Sequence, residues 1–137
     1  MPLHVIKLCV GIEKVEQLTE WGRRERGRGG PPIVHTRQTP KRAGEILEGG
    51  SLYWVIKGVI LCRQSIVDIR TIEEQGHRPR CEIELDDPVI PTAPLPRRAF
   101  QGWRYFLPKD APPDLSRVDA GDIPSDLVRE LREIGAW

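Results

Sequence analysis

Apolar residues dominate the chain from Leu3 to Val10, broken by His4 and Lys7, and stop at Gly11. A β-branched run of this kind predicts a buried strand. The period then changes. From Glu13 to about Glu25, Val15, Leu18 and Trp21 or Gly22 recur at three- and four-residue steps, which predicts a helix with one apolar face. Arg23 and Arg24 near its end suit the negative pole of a helix. Gly27, Gly29 and Gly30 break it, and Pro31 and Pro32 prevent its resumption. Ile33 to Thr36 predicts a short strand. Thr39 before Pro40 marks a second helix start, with Thr as cap and Pro in the first position. That helix runs to Leu47, turns Ala43, Ile46 and Leu47 inward, and ends at Gly49 and Gly50.

Ser51 to Ile72 is the most strand-like part of the chain. Leu52 to Lys57 predicts one strand, Gly58 a turn, and Val59 to Arg63 and Ile66 to Ile72 two continuations. In the last run Ile66, Asp68 and Arg70 alternate with Val67, Ile69 and Thr71, so one face is wetter than the other. Arg80 to Leu85 returns with Cys81, Ile83 and Leu85 on one face and Glu82 and Glu84 on the other. The prolines of Asp86 to Pro96 predict an extended surface loop. Arg98 to Leu107 predicts a final strand with a bulge at Gly102. A loop rich in Pro and Asp follows over 108–124, then a C-terminal helix over 125–134 capped by Ser125. Strand, helix, strand, helix and then a run of antiparallel strands is an α+β order. Three or more such strands in a chain of 137 residues curl, which predicts a single domain over 1–137 built as a small antiparallel, half-open β-barrel with flanking helices.

Composition narrows the function classes. Apolar residues at 39% and charged residues at 30% set a globular balance, not a disordered one. With 21 basic and 20 acidic residues the net charge is +1, so attraction to nucleic acid has to come from local clustering. Clusters exist: Arg23, Arg24, Arg26 and Arg28; Arg37, Lys41 and Arg42; Arg97, Arg98 and Arg104. The three cysteines, Cys9, Cys62 and Cys81, have no metal-like spacing and read as structural thiols. No export signal is visible and no stretch reaches the apolar length that a bilayer requires. Reduced thiols without such a signal lead to the expectation of a cytoplasmic protein with no membrane role.

Candidate chemistry is sparse. His4, His35 and His77 lack a partner fixed by spacing, although His4 and His35 each adjoin a strand. Glu82, Glu84 and Asp86 alternate on one strand face, which suits a hard cation less well than it suits solvent. Gly27 to Gly30 follows a helix and runs into prolines, whereas a phosphate loop sits between a strand and a helix start. No metal site and no cofactor are expected. The strongest lead is the mixing of aromatic and basic residues: Tyr53, Trp54 and Lys57 on one strand, and Trp103, Arg104 and Tyr105, with Phe100 before them, on another. Bases stack on aromatic faces while Arg and Lys contact phosphate. At least one of these strands has to pack inward, since large aromatics supply much of a small core. The candidate ligand-binding set is Arg37, Lys41, Arg42, Trp54, Lys57, Arg63, Arg98, Trp103 and Arg104, expected to converge on one face.

Several segments carry a resemblance: Leu3 to Gly11, Pro40 to Arg42, Gly49 to Gly58, Arg63 with Gln64, Arg80 with Cys81, and Pro96 to Tyr105. Together they resemble an uncharacterised bacterial family, domain of unknown function 1489, over roughly residues 2 to 115. The resemblance brings no activity with it. The helix ending in Gly49 and Gly50, followed by a Trp-bearing strand and antiparallel strands, is similar in fold to the PUA-like group, which includes the ASCH and EVE domains. That likeness implies a pseudo-barrel linked to RNA or modified-base binding. The expected function is a small nucleic-acid-binding or base-recognising module with RNA or a nucleotide-like ligand as partner. The alternatives are an enzyme acting on a small molecule or nucleotide in a pocket lined by Lys57, Arg63, Trp103 and Arg104, and a partner-binding protein using the Pro-rich loops.

Overall fold

Seven strands and two helices follow one another along the chain in the computed structural model, which describes residues 2–98, 100 and 102–115. They are β1 (His4–Leu8), α1 (Val15–Gly27), β2 (Ile33–Thr36), α2 (Ala43–Ile46), β3 (Ser51–Ile56), β4 (Val59–Ile72), β5 (Arg80–Leu85), β6 (Ile90–Pro96) and β7 (Trp103–Phe106). The expected C-terminal helix over 125–134 lies outside the described residues. The start of α1 is set by a side chain that the periodicity does not show. The Gln17 carboxamide oxygen reaches back to accept from the backbone N–H groups of Glu13 and Lys14, at 2.7 and 3.1 Å, and fixes the start of α1. Arg42, not Thr39, caps α2; Pro40 precedes the helix and is buried.

The strand order is β2-β5-β4-β3-β1-β7, with β6 added to β4. The expectation of a purely antiparallel half-barrel is corrected here: the sheet is mixed and open. β1 and β3 run parallel, Val5 opposite Leu52 and Leu8 opposite Val55. The crossover through α1, β2 and α2 is long enough to permit that direction. β4 is one continuous strand of 14 residues rather than two. Its first half pairs with β3 and β6, its second half with β5. The expected loop over Asp86 to Pro96 contains β6, because the N–H-less prolines are tolerated in a strand whose ladder is with β4 alone. Gly102 precedes β7 at φ 72° and turns the chain into it, in place of the expected bulge.

The two sheet faces carry separate apolar clusters. Val5, Leu52, Trp54, Ile56, Leu61, Cys62, Ile83 and Leu85 pack with Leu18 of α1 and Ile46 of α2. Ile6, Tyr53, Val55, Ile60 and Phe106 pack on the other face, with Leu95 and Phe100 over them. Alternation in β5 holds as the pattern requires: Cys81, Ile83 and Leu85 are buried, while Glu82 and Glu84 meet Arg70 across the ladder, at 3.7 and 3.1 Å. Among the described residues no helix is long and apolar enough to cross a membrane.

Candidate functional site

The end strands of the open sheet, β2 and β7, face each other across a cleft. His35, Thr36, Arg37 and Gln38 line one wall, Gly102, Trp103 and Arg104 the other, and Lys7 of β1 the floor. This cavity measures about 540 Å³. The indole Nε1 of Trp103 donates to the Gln38 carbonyl at 2.9 Å and spans the gap. A second cavity of about 710 Å³ adjoins it under α1, walled by Trp21, Trp54, Ile12 and Val34 and rimmed by Glu16, Glu20 and Arg24. Lys7 and His35 line both cavities. The two form one groove with Lys7 at its waist.

Register explains the placement of Lys7. Lys7 lies opposite Trp103 in the antiparallel ladder and opposite Trp54 in the parallel one. Directly paired residues share a face, so Trp103, Lys7 and Trp54 form a row across three strands. Trp54 is only 5% exposed and donates its Nε1–H to Gln64 Oε1 at 2.9 Å. It is therefore core as well as cavity wall. Trp103 is half-buried and meets Tyr105 edge-on, with ring centroids 5.0 Å apart.

The candidate residues do not converge on one face, and alternation along the strands is the reason. Arg37, Trp54, Trp103 and Arg104 line the groove. Arg42 stands behind it: its backbone N–H donates to the Tyr105 hydroxyl at 3.2 Å, its guanidinium lies over that ring, and Glu45 holds it in a bidentate pair. Lys41 is exposed beside it. Arg104 sits opposite Ile6, and Ile6 opposite Tyr53, which pairs with Arg63, so both arginines belong to the other sheet face. The Arg104 guanidinium rests over Phe100 while the residue borders the cleft. Lys57 occupies the β3–β4 turn at φ 49°, with Gly58 at φ 80°, and pairs with Glu13 at 3.6 Å. Arg98 is exposed and lines neither cavity of the groove.

Arg63 anchors a separate polar cluster. Its guanidinium makes a fork with Asp114, at 2.8 and 2.9 Å, and donates to Ser51 Oγ at 2.8 Å. His4 Nδ1 accepts the Ser51 backbone N–H at 2.9 Å, so the proton of the neutral ring sits on Nε2. Burial and the nearby Arg63 charge lower the His4 pKa from its ordinary value. Burial raises that of Tyr53. This cluster ties the segment after β7 to the sheet around a small cavity of about 290 Å³. Among the described residues no three His, Cys, Asp or Glu side chains come together to hold a metal. Cys9 lines the larger cavity, but burial pushes its thiol up to about 12, so it is no thiolate nucleophile near neutrality.

A model of the family described as protein of unknown function (DUF1489) matches residues 5–137. The chain belongs to that family. The match includes the stretch from Ser116 onward, which the sequence resemblance had left out. No curated protein matches this DUF1489 chain, and no solved structure does.

Lys7, Gln38 and Trp21 belong to the groove although no sequence motif marks them as binding residues. The signal for Lys7 was present: it is the one charged residue in an apolar strand, and a strand buried on both faces places a cation inside only where a cavity receives it.

Proposed function

We propose that this protein is a nucleic-acid-binding module, with RNA as the first candidate partner, and that it binds through the groove between α1, β2 and β7. The row Trp103–Lys7–Trp54 carries this reading, because it sets a cation between two indoles on the floor of a continuous cleft. Aromatic walls suit bases and the fixed cations suit phosphates. With a net charge of +1, the groove rather than the whole surface has to supply the attraction. The PUA-like comparison belongs to the same proposal, with the pseudo-barrel left unclosed between β2 and β7. So does a cytoplasmic setting, which suits three free, buried thiols.

The test is fluorescence anisotropy of short single-stranded and structured RNA against a salt series. Binding that weakens with salt and is lost in a Lys7→Ala, Arg37→Ala double variant supports the reading. Absence of binding at low salt sinks it. The enzyme alternative then takes its place, with His35 as the acid–base group, since His35 borders both cavities and lies 3.8 Å from Glu82.

A further inference from the structure

The two halves of the groove differ in charge, and that difference assigns parts of a ligand. Among the described residues, the cleft between β2 and β7 is lined by the cationic or titratable side chains of Lys7, His35 and Arg37, is bordered by Arg104, and is lined by no carboxylate. The cavity under α1 shares Lys7 and His35 with the cleft and is otherwise lined by Trp21, Trp54, Ile12 and Val34. Its outer rim holds Glu16, Glu20 and Arg24, spaced one helical turn apart on α1, so that two carboxylates stand there with one guanidinium. A phosphodiester running through the whole groove would pass those two carboxylates. The two carboxylates outnumber Arg24 there and oppose it, while among the described residues no lining carboxylate opposes a phosphate in the cleft.

We propose that the groove takes a single nucleotide unit, its phosphate in the cleft and its base in the cavity under α1. This rests on the nucleic-acid reading above and narrows its substrate class. Lys7, at the waist, meets the sugar–phosphate junction, and Arg37 meets the phosphate from β2's end. Glu16 and Glu20 accept hydrogen bonds from an exocyclic amino group, as carboxylates do from the amino group of cytosine. The base is therefore adenine, cytosine or guanine in preference to uracil. Both cavities have the size of small-ligand sites.

Calorimetric titration with AMP, CMP, GMP, UMP, adenosine and inorganic phosphate tests this, alongside competition by each against labelled short RNA. The monophosphates of adenine, cytosine and guanine are expected to displace RNA, with UMP roughly tenfold weaker. Arg37→Ala should weaken AMP by roughly tenfold to hundredfold, the worth of a charge-assisted phosphate contact, and leave adenosine nearly unchanged. Glu16→Gln with Glu20→Gln should narrow the gap between CMP and UMP. Circular dichroism of each variant checks that it is folded. RNA binding that no mononucleotide displaces, or that has a salt slope of four or more phosphates, overturns the single-nucleotide inference and keeps the nucleic-acid reading. Failure of both RNA and mononucleotides to bind overturns the two together.

Discussion

Lys7 and Trp103 are Cα partners across the β1–β7 ladder, so the ammonium-bearing side chain and the indole leave the same face of the sheet at the mouth of the cleft. Trp54 stands on the other flank of Lys7, in the parallel ladder to β3. The position of this cation is fixed by strand register rather than by a flexible loop, and it brings a defined electrostatic role with it.

Lys7→Met is expected to retain an apolar stem in the row between Trp54 and Trp103 and to remove only the charge. Stability should then stay within about 0.5 kcal/mol, as for a substitution that breaks no pair among the described residues. Affinity for RNA should fall, and the slope of log K against log salt should flatten by roughly one contact. Anisotropy titrations at four salt concentrations, with urea unfolding on the same samples, check both halves.

Trp54 is expected to behave as a core residue. Trp54→Phe removes the donor to the buried Gln64 Oε1, while Gln64 keeps its bond to the Asp86 carbonyl at 3.1 Å. The unpaired acceptor alone should cost about 1–3 kcal/mol in urea unfolding. Adding Gln64→Met removes that acceptor and should recover part of the loss. Additive losses in the double variant would show that the indole–carboxamide bond contributes nothing.

Local signals read well from the sequence because they depend on local chemistry. The alternation of β5, the apolar run of β1, the turn at Gly58 and the glycine stops after α1 all follow from side-chain period or backbone freedom. Long-range pairing did not read. Nothing in Leu3 to Leu8 says that its neighbour is β3, in parallel, and prolines in β6 argue against a strand until β4 is there to pair with them. The groove inherits that blindness. Trp54 and Trp103 were legible as candidates by type, whereas Lys7 needed the registers of two ladders, and Arg63 and Arg104 fell on the opposite face once pairing set the alternation.

Gly50 and Gly44 are expected to respond in opposite directions to the same change. A Cβ on Gly50 would strike the carbonyl oxygens of Leu3 and Ile46, which are backbone atoms held between β1 and α2. Gly50 also accepts from the Ile66 N–H at 3.0 Å, so it has little room to move. Gly50→Ala should cost more than about 3 kcal/mol, at the upper end of overpacking effects. Gly44, inside α2, has open space around it, and Gly44→Ala should stabilise by about 0.5–1 kcal/mol. Thermal melts of the two variants beside the parent provide the comparison.

Stability is expected to fall on mild acidification, and His4 supplies a separable part of that fall. Its ring is buried, accepts the Ser51 N–H through Nδ1, and faces Arg63 and the Tyr53 ring, which in turn meets Phe106 edge-on. Burial first, and the Arg63 charge second, lower its pKa below the usual value near 6.5. The unfolded chain therefore takes up a proton on this ring at a pH where the folded chain still refuses it. Since the unfolded state binds more protons, folding free energy is fully present above about pH 7 and is lost as the pH drops through the unfolded value toward the folded one. Urea unfolding at pH 7.5 and pH 5.5 should give a smaller midpoint at the lower pH. His4→Asn keeps a short acceptor near the Ser51 N–H but cannot titrate, so its midpoint should change less between the two values than the parent's does. His4→Leu leaves that buried N–H unpaired and should cost about 1–3 kcal/mol at both. An equal shift in the parent and in His4→Asn would show that His4 is not the group responsible.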